Sequence, residues 1–318
     1  MSLADSPPIS HTKPTKISTS KEVFACKDMV FNMKTSTEIA SLAKITGEER
    51  AIEMVAKAGF DAWDFSLFAM CNYDCKNKCL LENNHPLSGD NYIAFTRKLK
   101  QIGLDNGIHC NQSHAPFPSY NKGVRSYLKR AIECTAEAGG KICIIHPDNN
   151  KNAEENAEMY FELLPFAKDC DVKIATENMW NWDYEKGHSV FAACATPESF
   201  CAHIDTVNDE YFVGCLDIGH AEMRGSETTA PEMIRALGNR LQALHIHDND
   251  KLNDSHQIPF SMDINFDEVI KALKEIKYSG YFTLEADQYL SKYTAENVFE
   301  GVKNLAESAK KLSDMYEN

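Results

Sequence analysis

Residues 243–260 are dense in side chains that bind metal ions. Within twelve positions the chain carries three histidines and three aspartates, namely His245, His247, Asp248, Asp250, Asp254 and His256. Imidazole nitrogens and carboxylate oxygens together suit a divalent ion such as zinc, manganese or cobalt. The apolar alternation over 241–247 predicts a buried strand, which would place its two histidines on one face. The segment therefore predicts one wall of a metal site, and the rest of the chain must supply the other walls.

Ionisable side chains also follow other predicted strands. One such residue stands at the C-terminal end of each of six strands: His114, His146, Glu177, Asp217, His245 and Glu285. Neighbours in this series are 28 to 40 residues apart, which is the length of one βα unit. A single histidine at a strand end is more often structural. Six in succession favour a shared site, because the C-terminal strand ends of a barrel surround one mouth.

A repeating pattern of short apolar runs and amphipathic segments predicts the fold. Eight strands are predicted, at 30–36, 60–65, 108–113, 141–145, 172–176, 212–216, 241–247 and 281–284, each followed by a helix. An open doubly wound sheet gives the same alternation. The strand-end series favours a (β/α)8 TIM barrel, as a single domain over residues 33–318. Residues 1–32 are rich in Pro, Ser, Thr and Lys and predict a flexible leader.

Two helix starts carry local signals. Thr46 with Glu49 three residues later fits a capping box, and Thr196 followed by Pro197 fits a cap with proline in the first turn. These signals predict helices that begin at about residues 47 and 197.

Composition excludes several classes of protein. The formal net charge is −14, without a cluster of Lys and Arg, so nucleic acid and anionic membranes are not expected as partners. The sequence shows neither a signal-peptide pattern nor eighteen consecutive apolar residues, which makes a cytoplasmic protein the expectation. The eleven cysteines are predicted to be reduced thiols, and the evenly spaced Cys71, Cys75 and Cys79 are interpreted as structural rather than metal-binding.

Four short motifs resemble those of the xylose-isomerase-like TIM barrels. They are Thr176-Glu-Asn178, Asp217-Ile-Gly-His220, His245-Ile-His-Asp248 with Asp254-Ser-His256 after it, and Gly280-Tyr-Phe-Thr-Leu-Glu285. The resemblance covers about residue 33 to the C-terminus. Each motif is weak by itself, and their order and spacing make the resemblance specific. This family holds sugar and sugar phosphate isomerases and epimerases, and also zinc-dependent abasic-site endonucleases.

The isomerase branch implies one divalent ion, manganese, cobalt, zinc or magnesium, held by Glu177, Asp217, His245 and Glu285. The two glutamates would also act as acid and base, moving a proton through a metal-stabilised enediolate. His114, His146 and His220 are then expected to hydrogen-bond a small sugar-derived substrate if they do not hold metal. His247 is a further candidate for substrate binding, with a supporting or packing role as the alternative. Phe117, Trp180 and Trp182 are interpreted as loop packing, with an apolar wall for a sugar as the alternative. The absence of a phosphate-binding glycine motif mildly favours an unphosphorylated substrate.

The endonuclease branch uses three zinc ions, and the residues that would match its further ligands are His114, His146, His220, Asp254 and His256. The number of ions therefore stays open, with Asp254 and His256 as candidates for a second site. The acidic charge of the chain disfavours the nuclease. A lyase or dehydratase working through a similar intermediate, and a binding protein without turnover, are further alternatives. The sequence does not fix the sugar, and it leaves a homo-oligomer open.

Overall fold

A parallel sheet of eight strands forms the centre of the computed structural model, which describes residues 33–74 and 76–318. The barrel strands are β1 Thr35–Glu38, β2 Ala62–Ser66, β5 His109–His114, β6 Ile142–Ile144, β7 Lys173–Glu177, β10 Phe212–Asp217, β11 Leu241–His245 and β12 Phe282–Leu284. Two antiparallel hairpins lie outside this sheet, formed by β3 Asn72–Asp74 with β4 Cys79–Leu81 and by β8 Asn181–Asp183 with β9 His188–Val190.

Helices follow the strands along the chain. They are α1 Ala40–Thr46, α2 Glu48–Ala58, α3 Tyr92–Asp105, α4 Lys122–Arg125, α5 Leu128–Ala138, α6 Ala153–Asp169, α7 Pro197–Val207, α8 Ile218–Glu222, α9 Ala230–Leu237, α10 Phe266–Glu275 and α11 Val298–Glu317. None of the helices in the described ranges has both the length and the apolar character needed to cross a bilayer.

The sheet closes on itself. Its order is β11-β10-β7-β6-β5-β2-β1-β12, and an isolated parallel bridge between Ile246 and Leu284 joins the two ends. The Ile246 amide donates to the Thr283 carbonyl at 2.9 Å, and the Glu285 amide donates to the Ile246 carbonyl at 3.0 Å. Closure confirms the predicted TIM barrel and excludes the open doubly wound alternative.

Seven of the predicted strands overlap the observed ones to within two residues at each end. The first prediction is wrong, because β1 spans Thr35–Glu38 rather than 30–36. Residues 30–32 lie outside the described part of the chain, as does the leader predicted for 1–32.

One helix start is confirmed and the other is corrected. The Thr196 side chain accepts a hydrogen bond from the Ser199 amide at the start of α7, as predicted. The capping box at Thr46 is wrong, because that hydroxyl instead donates to the Leu42 carbonyl at 3.0 Å and so belongs to the end of α1. Gly47, with φ of 82°, separates α1 from α2. A positive φ at this turn suits glycine, which lacks the Cβ that would clash there.

The described cysteines carry free thiols, in agreement with the prediction of reduced cysteines. Cys71 is buried directly before β3, whereas Cys79 is exposed at the start of β4. Cys75 lies outside the described residues.

Alternate residues of the strands face the interior of the barrel. Ile144, Ala175, Val213, Cys215 and Ala243 form a small apolar cluster there, separate from the larger core that joins strands and helices. Because successive side chains of a strand point to opposite faces, a residue two positions beyond an inward residue also points inward. This rule places His146, Glu177, Asp217 and His245 at the top of the barrel interior, directly after members of the cluster.

Candidate metal centre

Four residues predicted to hold one ion converge at the mouth of the barrel. Ligand atoms of Glu177, Asp217, His245 and Glu285 all lie within 4.8 Å of one another, and all four residues are buried. His245 Nδ1 lies 3.1 Å from Glu177 Oε1 and 3.2 Å from Glu285 Oε2. The sequence therefore brings together three carboxylates and an imidazole from four different strand ends.

Two buried carboxylate oxygens of this group lack a hydrogen-bond partner and are suited to bind a cation. Glu177 Oε2 and Asp217 Oδ2 are buried without a hydrogen bond of acceptable geometry. A buried carboxylate oxygen without a partner is costly, and buried charges are normally paired or coordinate metals. The donor set of three carboxylates and one histidine matches what divalent zinc, manganese or cobalt accepts.

Glu177 also belongs to a second ligand group, with His114 and His146. The two histidine Nε2 atoms lie 2.8 Å apart, and that of His146 lies 3.2 Å from Glu177 Oε2. Two imidazole nitrogens so close can share one proton, or they can both face a ligand above Glu177. Glu177 thus belongs to both groups, and His114 also lies within ligand distance of His245 and Glu285.

A third ligand group lies beyond Asp217 and consists of His220, His247, Asp254 and His256. Asp254 Oδ2 is 3.3 Å from His220 Nε2 and 3.2 Å from His256 Nε2. The rings of His247 and His256 stack, with centroids 3.9 Å apart. The structure brings together the predicted pair of Asp254 and His256 with two further histidines.

His247 has no exposed surface and does not itself line the cavity above the ligand groups. Its Nε2 lies 3.1 Å from Asp217 Oδ1 and 3.5 Å from Asp254 Oδ1. His247 therefore links the first and third ligand groups. The other three histidines predicted to contact substrate, His114, His146 and His220, do line the cavity.

Gly219 makes room for His247. A Cβ atom built at Gly219 would overlap the His247 imidazole, and no flexible chain end is there to move aside. We expect Gly219→Ala to lower the free energy of unfolding by about 1–3 kcal/mol, as overpacking does in a filled interior. Urea unfolding measures this change. Gly89→Ala is the matched control, because nothing lies within 4 Å of a Cβ there. Equal stabilities of the two variants would contradict the packing argument.

Burial and the neighbouring charges displace the pKa values of the two glutamates in opposite directions. Burial favours the neutral form of Glu177, but the charge of His245 and the imidazoles of His114 and His146 outweigh it and hold its pKa well below the usual value. For Glu285, burial raises the pKa, and the negative charge of Glu177 adds to that effect against the opposing charge of His245. Two carboxyl groups in one site thus differ in their affinity for a proton.

A cavity of about 560 Å³ opens above the ligand groups. Phe117 and Trp180 line it and also pack against the neighbouring rings of Phe68 and Trp182, so these two residues combine loop packing with a place in the cavity wall. The insertion after β2 adds Phe68, whose ring centroid lies 4.7 Å from that of His114. Among the described residues that line the cavity there is no Lys or Arg. The cavity combines aromatic faces with ionisable side chains, which suits a small polar ligand with apolar faces.

Several residues of the cavity wall were not predicted, among them Asp287 and Phe68. Asp287 follows Glu285 by two positions, so the alternation after β12 is a signal that could have indicated it. Phe68 lies in a short 3₁₀ segment of the insertion, Leu67–Met70, where no periodic pattern marks it. Its position depends on how the insertion folds back over the barrel mouth.

Comparison with known proteins agrees with this architecture. Residues 52–314 match the model of the family described as xylose isomerase-like TIM barrel. An uncharacterized protein of Methanocaldococcus jannaschii is 26% identical over 248 residues, which cover 74% of this chain and 78% of that protein.

Solved structures show the same fold. A D-tagatose 3-epimerase-like protein superposes with a TM-score of 0.62 at 24% identity, covering 88% of this chain and 99% of that one. The IolI protein, whose structure contains a bound zinc atom, gives a TM-score of 0.65 at 19% identity and covers 89% and 99% of the two chains. Since the family model spans most of the sequence and the barrel closes as predicted, the chain belongs to the xylose isomerase-like TIM barrel family.

Proposed function

We propose that this protein is a divalent-metal-dependent isomerase or epimerase of an uncharged sugar or sugar-derived ketone. The observation that carries the proposal is the group formed by Glu177, Asp217, His245 and Glu285, which is buried beneath a cavity with aromatic walls. The structural neighbours are supportive, because they include sugar epimerases. The ion would be manganese, cobalt, zinc or magnesium.

The two glutamates are the proposed acid and base. They come from β7 and β12, which lie three strands apart around the barrel, so their carboxyl groups reach the cavity from different sides. One carboxylate takes the proton from the carbon next to a sugar carbonyl, and either the second carboxyl group donates its own proton to the intermediate or the first gives its proton back. Protonation of the same carbon from its opposite face inverts the configuration there. Protonation of the neighbouring carbon instead interconverts an aldose and a ketose. A bound divalent ion would supply stabilisation of the negative charge that develops on the substrate oxygens.

The cavity wall favours a substrate without phosphate. A phosphate group is usually held by Arg, Lys or a helix N-terminus, and no basic side chain of that kind lines the described cavity. Phe68, Phe117 and Trp180 instead offer faces on which the C–H groups of a sugar can pack. His114, His146 and His220 are placed to hydrogen-bond sugar hydroxyls where they do not bind an ion.

A second candidate function is metal-assisted hydrolysis of a phosphoester. The two further ligand groups favour it, because His114 with His146 and His220 with Asp254 and His256 could each complete a separate ion site next to Glu177 or Asp217. The net charge of −14 and the lack of basic residues in the described wall oppose a DNA substrate, which requires phosphate neutralisation. A lyase acting through the same proton abstraction is the nearest alternative among enzymes.

Solvent exchange tests proton abstraction before any product is known. Protein loaded with manganese, cobalt, zinc or magnesium would be incubated in D2O with a panel of ketoses, aldoses and inositol-derived ketones. We expect one member of the panel to gain a single deuterium next to its carbonyl, only with the ion present, detected by NMR. Cleavage of an abasic duplex without exchange into any sugar would contradict the proposal and favour the hydrolase.

A further inference from the structure

A chain of hydrogen-bonded polar side chains runs through the barrel beneath the ligand groups. The Ser36 hydroxyl donates to Asn111 Oδ1 at 2.6 Å, and the Asn111 amide donates to Gln112 Oε1 at 3.3 Å. The Gln112 amide in turn donates to Asp64 Oδ2 at 2.8 Å. All four side chains are buried, in a region that TIM barrels usually fill with branched apolar residues. Because buried polar side chains are costly unless they are hydrogen-bonded, this polar path inside the barrel calls for a structural or functional explanation.

The path ends at a buried carboxylate beside His245. Asp64 is 1% exposed, and its Oδ1 has no hydrogen-bond partner. Within the described part of the chain, His245 is the only basic residue in ion-pair distance of Asp64, with Nε2 3.6 Å from Oδ2. His245 Nε2 also lacks a partner. His245 Nε2 therefore faces the Asp64 carboxylate below the metal centre, at the oxygen that also accepts from the Gln112 amide.

The two nitrogens of His245 face different surroundings. Nδ1 is directed at Glu177 and Glu285, in the first ligand group, whereas Nε2 is directed away from that group at Asp64. A histidine that binds an ion through one nitrogen carries its proton on the other, and that N–H usually donates to a carboxylate or a carbonyl.

We propose that Asp64 is a positioning residue of the metal centre, which accepts a hydrogen bond from the Nε2–H group of His245 and leaves Nδ1 free to bind the ion. The observed separation exceeds a hydrogen bond by a few tenths of an ångström. Hydrogen bonds in such sites are often long before the ligand binds and tighten with it. Gln112 fixes the carboxylate, so a small movement of the imidazole is enough to close the contact.

This inference rests on the metal centre of the proposed function and predicts a graded loss of metal affinity. Zinc affinity would be measured by competition with a chromogenic chelator for the wild type, Asp64→Asn and Asp64→Leu. We expect dissociation constants raised about 10-fold in the Asn variant, whose amide oxygen still accepts a hydrogen bond, and about 100-fold in the Leu variant, which has no acceptor. Asp61→Asn is the matched control, because Asp61 is exposed and bonds only to Thr35 in the described contacts.

Two further readouts separate positioning from a structural role. Thermal unfolding of the metal-free variants shows whether they fold, because removing one partner of a buried charged pair is usually destabilising. NMR of zinc-loaded, ¹⁵N-histidine-labelled protein shows whether His245 Nε2 carries a slowly exchanging proton, which we expect in the wild type and not in the Leu variant. If Asp64→Leu fails to fold, the zinc affinity of Asp64→Asn tests the role of Asp64.

Unchanged zinc affinity in a folded Asp64→Asn or Asp64→Leu variant would overturn the role of Asp64 and leave the metal centre intact. A wild-type protein that binds no divalent ion would overturn both the role of Asp64 and the proposed metal centre. Reduced zinc affinity together with an absence of sugar exchange would support Asp64 and reject the isomerase.

Discussion

Glu285→Gln is expected to lower kcat on the sugar substrate by about 10²- to 10⁴-fold, the range typical for loss of a general acid or base. The amide keeps the size of the side chain and an oxygen that can contact an ion, but it cannot take up or return a proton. Steady-state kinetics on the metal-loaded variant measures the loss. The solvent-exchange signal should fall with kcat, because proton transfer is the step removed.

The control for this prediction is Glu275→Gln on α10. Glu275 pairs with Arg235 at the surface and touches no residue of the ligand groups, so turnover should match the wild type. The metal content of each variant is determined in parallel, since a Gln variant that has lost its ion would be inactive for a different reason. A Glu285→Gln protein that holds its ion and turns over at the wild-type rate would refute the acid-base assignment.

Addition of a divalent ion to metal-free protein is expected to raise Tm by about 10 °C. An ion present at a thousand times its dissociation constant stabilises the folded state by about 4 kcal/mol, and each kcal/mol moves Tm by about 2–4 °C in a domain of this order of size. The physical source is the pairing of buried oxygens such as Glu177 Oε2 and Asp217 Oδ2. Scanning calorimetry with and without zinc or manganese measures the shift.

Asp217→Asn should lose most of this shift, because it removes one of the three negative charges in the first ligand group. Asp250→Asn, at a half-buried position, serves as the control and should respond to the ion as the wild type does, since Asp250 bonds within its own loop. The same ionic strength supplied as sodium chloride excludes a general salt effect. No shift in the wild type at millimolar ion would argue that the cluster does not bind a metal.

The inward side of each barrel strand was largely predictable from its residues. Ala243 and His245 stand two positions apart on β11, as Ala175 and Glu177 do on β7, so alternation alone aligns each ligand above an apolar residue of the barrel interior. The regular length of a βα unit then brings the strand ends to one mouth. These local rules explain why the convergence of the ligands could be anticipated without coordinates.

Other features depend on contacts that the sequence does not record. Thr46 and Glu49 fit a capping box, yet an unanticipated short helix, α1, ends at Thr46. Asp64 lies in an apolar run, and no sequence pattern indicates that it belongs to the site. Its proposed role depends on its contact with His245, which lies on another strand. Phe68 reaches the cavity only through the fold of its insertion. In each case a tertiary contact, rather than a local pattern, determines the role of the residue.

The most direct test is a crystal structure of metal-loaded protein with anomalous diffraction recorded at the absorption edge of zinc or manganese. We expect an anomalous peak enclosed by Glu177, Asp217, His245 and Glu285. Further peaks beside His146 and beside Asp254 would indicate three ions and favour the hydrolase. A map with no peak among the four residues, although the crystals contain stoichiometric metal, would contradict the central claim.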